Sequence, residues 1–99
     1  MMINIWERQS VQGDLQPVMR KAQGRIASIY NYKGHPLMIS SRRDGEHKPG
    51  SLHYDGLAED YKDWDKHVSI SEIKDAVGPG FDVIEYEWGY HVEYDPKPA

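Results

Sequence analysis

Apolar and polar positions follow two different rhythms along this chain. Leu15, Met19, Ala22, Ile26, Ile29 and Tyr30 fall on one stripe of a helix. Gly13-Asp14 precedes the stripe, with Asp14 placed as an N-cap and Pro17 compatible with the first turn. Gly34, just before Pro36, is a natural stop. Gly24 weakens the middle. So short a chain has few other apolar faces to build with, so the stripe reads as core rather than a partner-binding face. Ser69-Ile70-Ser71-Glu72 is a capping box that starts a shorter helix with Ile70, Ile73 and Val77 inward, ended by Gly78-Pro79-Gly80. Short runs at Met2–Trp6 and Pro36–Ser40 predict strands, with Trp6 in the core. Ser51–Tyr54 and Leu57–Asp60 predict extended pieces on either side of an Asp55-Gly56 turn. Phe81–Glu87 and Tyr90–Tyr94 predict two final strands. The polar stretch from Ser41 to Gly50 is long for a loop in a small domain, and such loops are often functional. The expected fold class is α+β, a small antiparallel sheet with a long N-terminal helix on one face and a short second helix.

Composition narrows the function classes. At 99 residues the chain has room for one domain, 1–99, and 38% hydrophobic residues give it a modest core. No apolar run approaches the ~18–20 residues that span a bilayer. No basic-then-apolar leader precedes Ser10, so a secretory signal peptide is not expected. The absence of cysteine excludes disulfides, thiolate metal sites and cysteine nucleophiles. A net charge of −4 argues against bulk electrostatic binding of nucleic acid. That charge is uneven. Residues 1–50 carry 8 Lys+Arg against 4 Asp+Glu, and residues 51–99 carry 4 against 12, so +4 and −8 sum to −4. Crowded carboxylates need solvent or a counter-ion. The second half also holds three of the five histidines, His53, His67 and His91.

His53 and Asp60, seven residues apart, would face opposite sides of a single strand. A turn at Asp55-Gly56 lets both side chains swing toward one point, and His91 on the last strand can join them across an antiparallel sheet. Two imidazoles and a carboxylate make a catalytic zinc set, because three protein ligands leave a fourth position for water. Zinc lowers the pKa of water there toward ~7. By spacing alone, an ordinary hydrogen-bonded His–Asp pair remains the competing reading. The His-Glu-x-x-His helix signature, the Gly-x-Ser-x-Gly elbow and phosphate-binding glycine patterns are all absent.

The stretch from Asp44 to Asp60 contains Asp44-Gly45-Glu46-His47 and then Ser51-Leu52-His53-Tyr54-Asp55-Gly56-Leu57-Ala58-Glu59-Asp60. It resembles the Ser-x-His-x-x-Gly-x-Ala-x-Asp motif of D-Ala-D-Ala metallopeptidases, and most closely the small phage-encoded members, which often carry Asp-Gly-x-His upstream. Gly80-Phe81-Asp82-Val83 and His91-Val92-Glu93-Tyr94-Asp95-Pro96 are similar to the end of the same domain. The hedgehog signalling domain shares that fold and reads Ser-Leu-His-Tyr at the equivalent place. The resemblance covers about residues 15–96.

The resemblance implies a hedgehog/peptidase-like fold, a Zn2+ site of His53, Asp60 and His91, and hydrolysis of a peptide bond in the stem peptides of bacterial peptidoglycan. A glutamate would act as general base and then protonate the leaving amine. Family members place a substrate-carboxylate arginine on the loop after the preceding strand, which matches Arg43 or Arg42, with Arg43 favoured. His47 matches a further histidine that contacts substrate or oxyanion. Many phage relatives end Glu-x-x-His-x-His; this chain reads Glu85-Tyr86-Glu87-Trp88-Gly89-Tyr90-His91, so an ungapped alignment puts Tyr86 at the glutamate position. On a regular strand Glu85 and Glu87 both share a face with His91, unless Gly89 marks a bulge or turn. Glu87 is favoured as general base, with Glu85 in reserve. Asp63 and Asp65 are candidates to hydrogen-bond a zinc histidine, and Trp64 and Trp88 to line a groove or pack at its rim. Glu93 belongs to the matching C-terminal block, where a hydrogen bond from it could orient a neighbour. A phage lysin or virion part of this kind would be made in the cytoplasm and reach the wall through lysis machinery or as part of a particle, with other phage proteins as partners. The alternative is a zinc-binding structural homologue with weak or no catalysis.

Overall fold

A computed structural model describes residues 4–7, 15–41 and 56–96. Five strands and two helices follow in the order β1 (Ile5–Glu7), α1 (Pro17–Tyr32), β2 (Leu37–Ser41), β3 (Ala58–Lys62), α2 (Ile70–Val77), β4 (Phe81–Tyr86) and β5 (Gly89–Tyr94). The strands form one sheet in the order β1-β2-β3-β5-β4. β1 runs parallel to β2 and the other neighbours are antiparallel, so the sheet is mixed rather than antiparallel as expected. Parallel neighbours need a long crossover, and α1 lies within that connection.

Both helices pack against the same face of the sheet. Met19, Ala22, Ile26, Ala27 and Tyr30 of α1 are buried, with Leu15 just before it. Ile73 and Val77 of α2 complete a core with Leu37, Ile39, Tyr61, Val83, Tyr90 and Val92 from the strands. Pro17 occupies the first turn as expected, but the N-cap is Gln16, whose side chain caps nothing, and Asp14 lies outside the described residues. α1 ends at Tyr32, and Gly34 at φ +84° lets the chain fold back, with the His35 N–H donating to the Tyr30 carbonyl at 2.9 Å. α2 carries the expected capping box on Ser69 and Glu72. Lys33 reaches the Glu72 carboxylate at 2.7 Å, and this bond with the Ser69 backbone N–H holds its pKa at about 2.

Alternation along the strands sets which side chains meet the helices. Tyr61, Tyr90, Val92, Val83, Leu37 and Ile39 point inward, while Asp60, Lys62, His91, Glu93, Asp82, Ile84 and Met38 occupy the outer face. Glu59 also points inward and is fully buried; Gln23 of α1 donates to both its carboxylate oxygens, at 2.9 and 3.0 Å. Trp6 corrects the sequence reading. It pairs with Met38 on the outer face and is 61% exposed, because among the described residues β1 is an edge strand and no helix covers that side of it.

The final hairpin turns on Glu87-Trp88, with Tyr86 opposite Gly89. β4 therefore stops one residue before Glu87. Gly89 (φ +152°) tolerates no side chain, since a Cβ there would lie 2.0 Å from the Tyr61 carbonyl oxygen. Lys66 donates to the carbonyls of Tyr86 and Glu87 and fastens the hairpin end to the loop after β3. Among the described residues no helix is long and apolar enough to cross a membrane.

Candidate metal centre

Asp60 and His91, 31 positions apart, stand directly opposite each other across β3 and β5. Cross-strand partners share a face and lie within side-chain reach, and here His91 Nδ1 is 2.8 Å from Asp60 Oδ1. Glu93, two residues along β5, shares that face, and its Oε1 is 2.6 Å from His91 Nε2. The three side chains are only 16–21% exposed. A carboxylate oxygen accepts at each ring nitrogen, and only the protonated ring has a hydrogen for both.

Burial pulls the His91 pKa down, but the bonds to Asp60 and Glu93 outweigh it and leave the pKa above 6.5. A raised folded-state pKa contributes stability that is complete below the unfolded value and disappears as pH rises through the folded one. Metal-free protein is therefore expected to lose stability as pH is raised from about 6 through the His91 transition. Chemical denaturation at several pH values, with the His91 ring protons followed by NMR, measures it. A His91 midpoint at or below that of a free histidine would refute the arrangement.

Asp60 and His91 are residue types that could hold a zinc ion. One imidazole nitrogen and one carboxylate oxygen are ordinary zinc donors, and two ligands of a tetrahedral ion sit about 3.3 Å apart. Glu93 supplies what zinc histidines commonly have, a carboxylate on the far nitrogen that fixes ring orientation. The sequence reading allowed Glu93 a hydrogen bond that orients a neighbour without naming that neighbour, and a position two residues from a histidine on a strand is where such a partner belongs. Asp82, opposite Glu93, forms with Glu93 and Asp95 a group of carboxylates whose oxygens lie within 4.8 Å of one another. Exposed acidic groups commonly cluster in this way without an ion.

The other expected residues fall elsewhere. His53, Arg42, Arg43 and His47 lie outside the described residues. Glu85 stands opposite Tyr90 on the helix-packed side, where the Tyr90 hydroxyl lies 3.4 Å from Glu85 Oε2. Burial and the Glu85 charge push the Tyr90 phenol up to about 12. Glu87 sits in the hairpin turn, beyond Gly89. The chain reversal at Glu87-Trp88 removes the shared-face argument for Glu85, because parity holds only along an uninterrupted strand. Asp63 braces the loop after β3 instead of a histidine ring, accepting from the Tyr30 hydroxyl at 2.7 Å and from the His67 and Val68 backbone N–H groups at 2.9 and 3.2 Å. Trp64 is exposed, and Trp88 stacks on Tyr86 at 5.0 Å.

No protein-family model matches the chain, and no solved structure matches it.

Proposed function

We propose that this chain is a zinc-dependent peptidoglycan peptidase with a hedgehog/D-Ala-D-Ala-peptidase-like fold, hydrolysing a peptide bond in bacterial stem peptides. The observation that carries this reading is the Asp60–His91–Glu93 chain, in which two motif positions 31 residues apart meet at hydrogen-bond distance on one sheet face. Asp60 and His91 would hold the ion with His53. When bound, zinc supplies Lewis acidity and makes hydroxide available near neutral pH. Glu93 keeps the His91 ring in place. Glu87 is the general base in this reading, since Glu85 faces the helix side. The protein would act at the cell wall after release by lysis machinery or as part of a virion, with phage proteins as further partners.

One observation favours a second reading, a zinc-binding homologue with weak catalysis. Neither glutamate is registered beside His91, whose partner on β4 is Ile84.

Mass spectrometry of cell-wall fragments, with and without a chelator and zinc add-back, separates the two readings. Chelator-sensitive fragments restored by zinc support the peptidase. Glu87→Ala is expected to abolish turnover with zinc still bound, and Glu85→Ala to leave most of it. Loss of turnover in Glu85→Ala alone would move the base to Glu85. No cleavage by a zinc-loaded sample would support the binding homologue.

A further inference from the structure

The solvent side of α1 goes against the rules that stabilise a helix. Lys21, Gly24, Arg25, Ser28 and Tyr32 fall within one narrow arc of it, opposite the buried side. The helix has three cations, Arg20, Lys21 and Arg25, and no acid along its length. Its first turn lacks an acidic residue, its last turn lacks a basic one, and its N-cap side chain caps nothing. Lys21 and Arg25 are like charges one turn apart, which repel. Both are exposed, and among the described residues neither has a hydrogen-bond or ion-pair partner.

Gly24 sits in mid-helix, where glycine is disfavoured relative to alanine. A Cβ there would meet nothing within 4 Å, so no packing contact requires the glycine. Ser28 donates its hydroxyl to the Gly24 carbonyl at 2.9 Å, which keeps that side of the helix low between the cations and Tyr32. The Tyr32 ring, at the end of the arc, is 91% exposed. α2 is the contrast within the same chain, with its capping box, Glu72 in the first turn and Lys74 in the last. The sequence stabilises the surface of one helix fully and leaves the other unstabilised. Local rules broken without a folding reason are expected at functional sites.

We infer that the outer side of α1 is a docking surface for an acidic segment of a protein partner. It stands independently of the peptidase reading. Carboxylates of the partner meet Lys21 and Arg25 and relieve a repulsion that the free chain carries. The missing side chain at Gly24 lets the partner's backbone approach closely. Tyr32 supplies a large apolar ring with a polar tip. A phosphate polymer would use the cations alone and be repelled by the net charge of −4. A bilayer is no better matched, because the apolar side of α1 is already in the core.

The test titrates the full chain with an acetylated peptide of Glu-Ala-Leu repeats and with its Gln-for-Glu counterpart, read by NMR. The acidic peptide is expected to shift the amides of Lys21, Gly24, Arg25 and Ser28. At low salt it should bind about tenfold or more tightly than the neutral one. Two variants separate docking from an idle surface, because they move stability and binding in opposite directions. Gly24→Ala should raise the melting temperature by about 4–8 °C and weaken binding. Lys21→Glu replaces a repulsive pair with an attractive one, so it should also melt higher, and it should lose affinity for the acidic peptide about tenfold or more. No binding of the acidic peptide, equal binding of the neutral one, or unchanged affinity in Lys21→Glu would overturn the surface. So would a lower melting temperature in both variants, which would give these residues a folding role. Tighter binding of inorganic polyphosphate or of phosphatidylglycerol vesicles than of the peptide would overturn the protein partner.

Discussion

Replacing His91 by alanine is expected to reduce zinc content from about one ion per chain to near none. His91 touches both carboxylates of the candidate centre. Without it, Asp60 and Glu93 face each other's side of the site with no cation between them. Metal analysis after gel filtration reads the stoichiometry, and thermal melts with and without zinc give a second measure. A ligand that binds only the folded chain stabilises it by about 2.7 kcal/mol at a hundred times its Kd. Wild type should therefore melt several degrees higher with zinc, and His91→Ala should not respond. Glu93→Gln is expected to keep the stoichiometry at saturating zinc while weakening affinity about 10–100-fold, because Glu93 orients the ring rather than holding the ion. Full zinc content in His91→Ala would refute the centre. An unchanged affinity in Glu93→Gln would remove Glu93 from it.

The largest stability effect is expected at Asp63, away from the metal site. Its side chain is almost fully buried and accepts three hydrogen bonds, from the Tyr30 hydroxyl and from two backbone N–H groups of its own loop. Burial together with the Asp63 carboxylate drives the Tyr30 pKa far upward, so the phenol stays a donor throughout the working pH range. Asp63→Ala leaves all three donors without their acceptor, a cost of about 3–5 kcal/mol given ~1–3 for each buried unsatisfied group and partial relief by water. For a domain of this size that corresponds to a melting-temperature drop of about 15–25 °C. Tyr30→Phe removes one donor and leaves the loop bonds, so a smaller loss of about 1–2 kcal/mol is expected. Equal losses in the two variants, measured by urea unfolding, would show that the loop bonds contribute nothing. The loop carries Lys66, which holds the β4–β5 turn, so Asp63→Ala should also weaken the register that sets His91 against Asp60.

Much of this architecture was legible because it is local. The α2 capping box involves residues three apart, and the stripe of α1 repeats within one helix. A single stretch of chain contains the whole physical cause, so pattern alone located both helices. Glycines read as helix stops were found at the ends of both. Trp6 failed by the same standard. Its aromatic side chain reads as core, but exposure depends on whether a helix covers β1, and no local pattern carries that information.

The candidate site divides in the same way. The residue types at positions 60 and 91 and their resemblance to a zinc motif are properties of the chain. Their meeting at 2.8 Å depends on β5 inserting between β3 and β4, with a register that puts one opposite the other. Strand periodicity says which residues share a face but not which strand lies alongside. For the same reason the parallel β1–β2 pair and the row of Trp6, Met38 and Lys62 emerge only from the assembled sheet. Asp60 and His91, on separate pieces of chain, have no mutual energy until backbone hydrogen bonds bring those pieces together. Composition and helix periodicity settled that this is a small α+β domain with an acidic second half. Register settled which of its acids face the histidine.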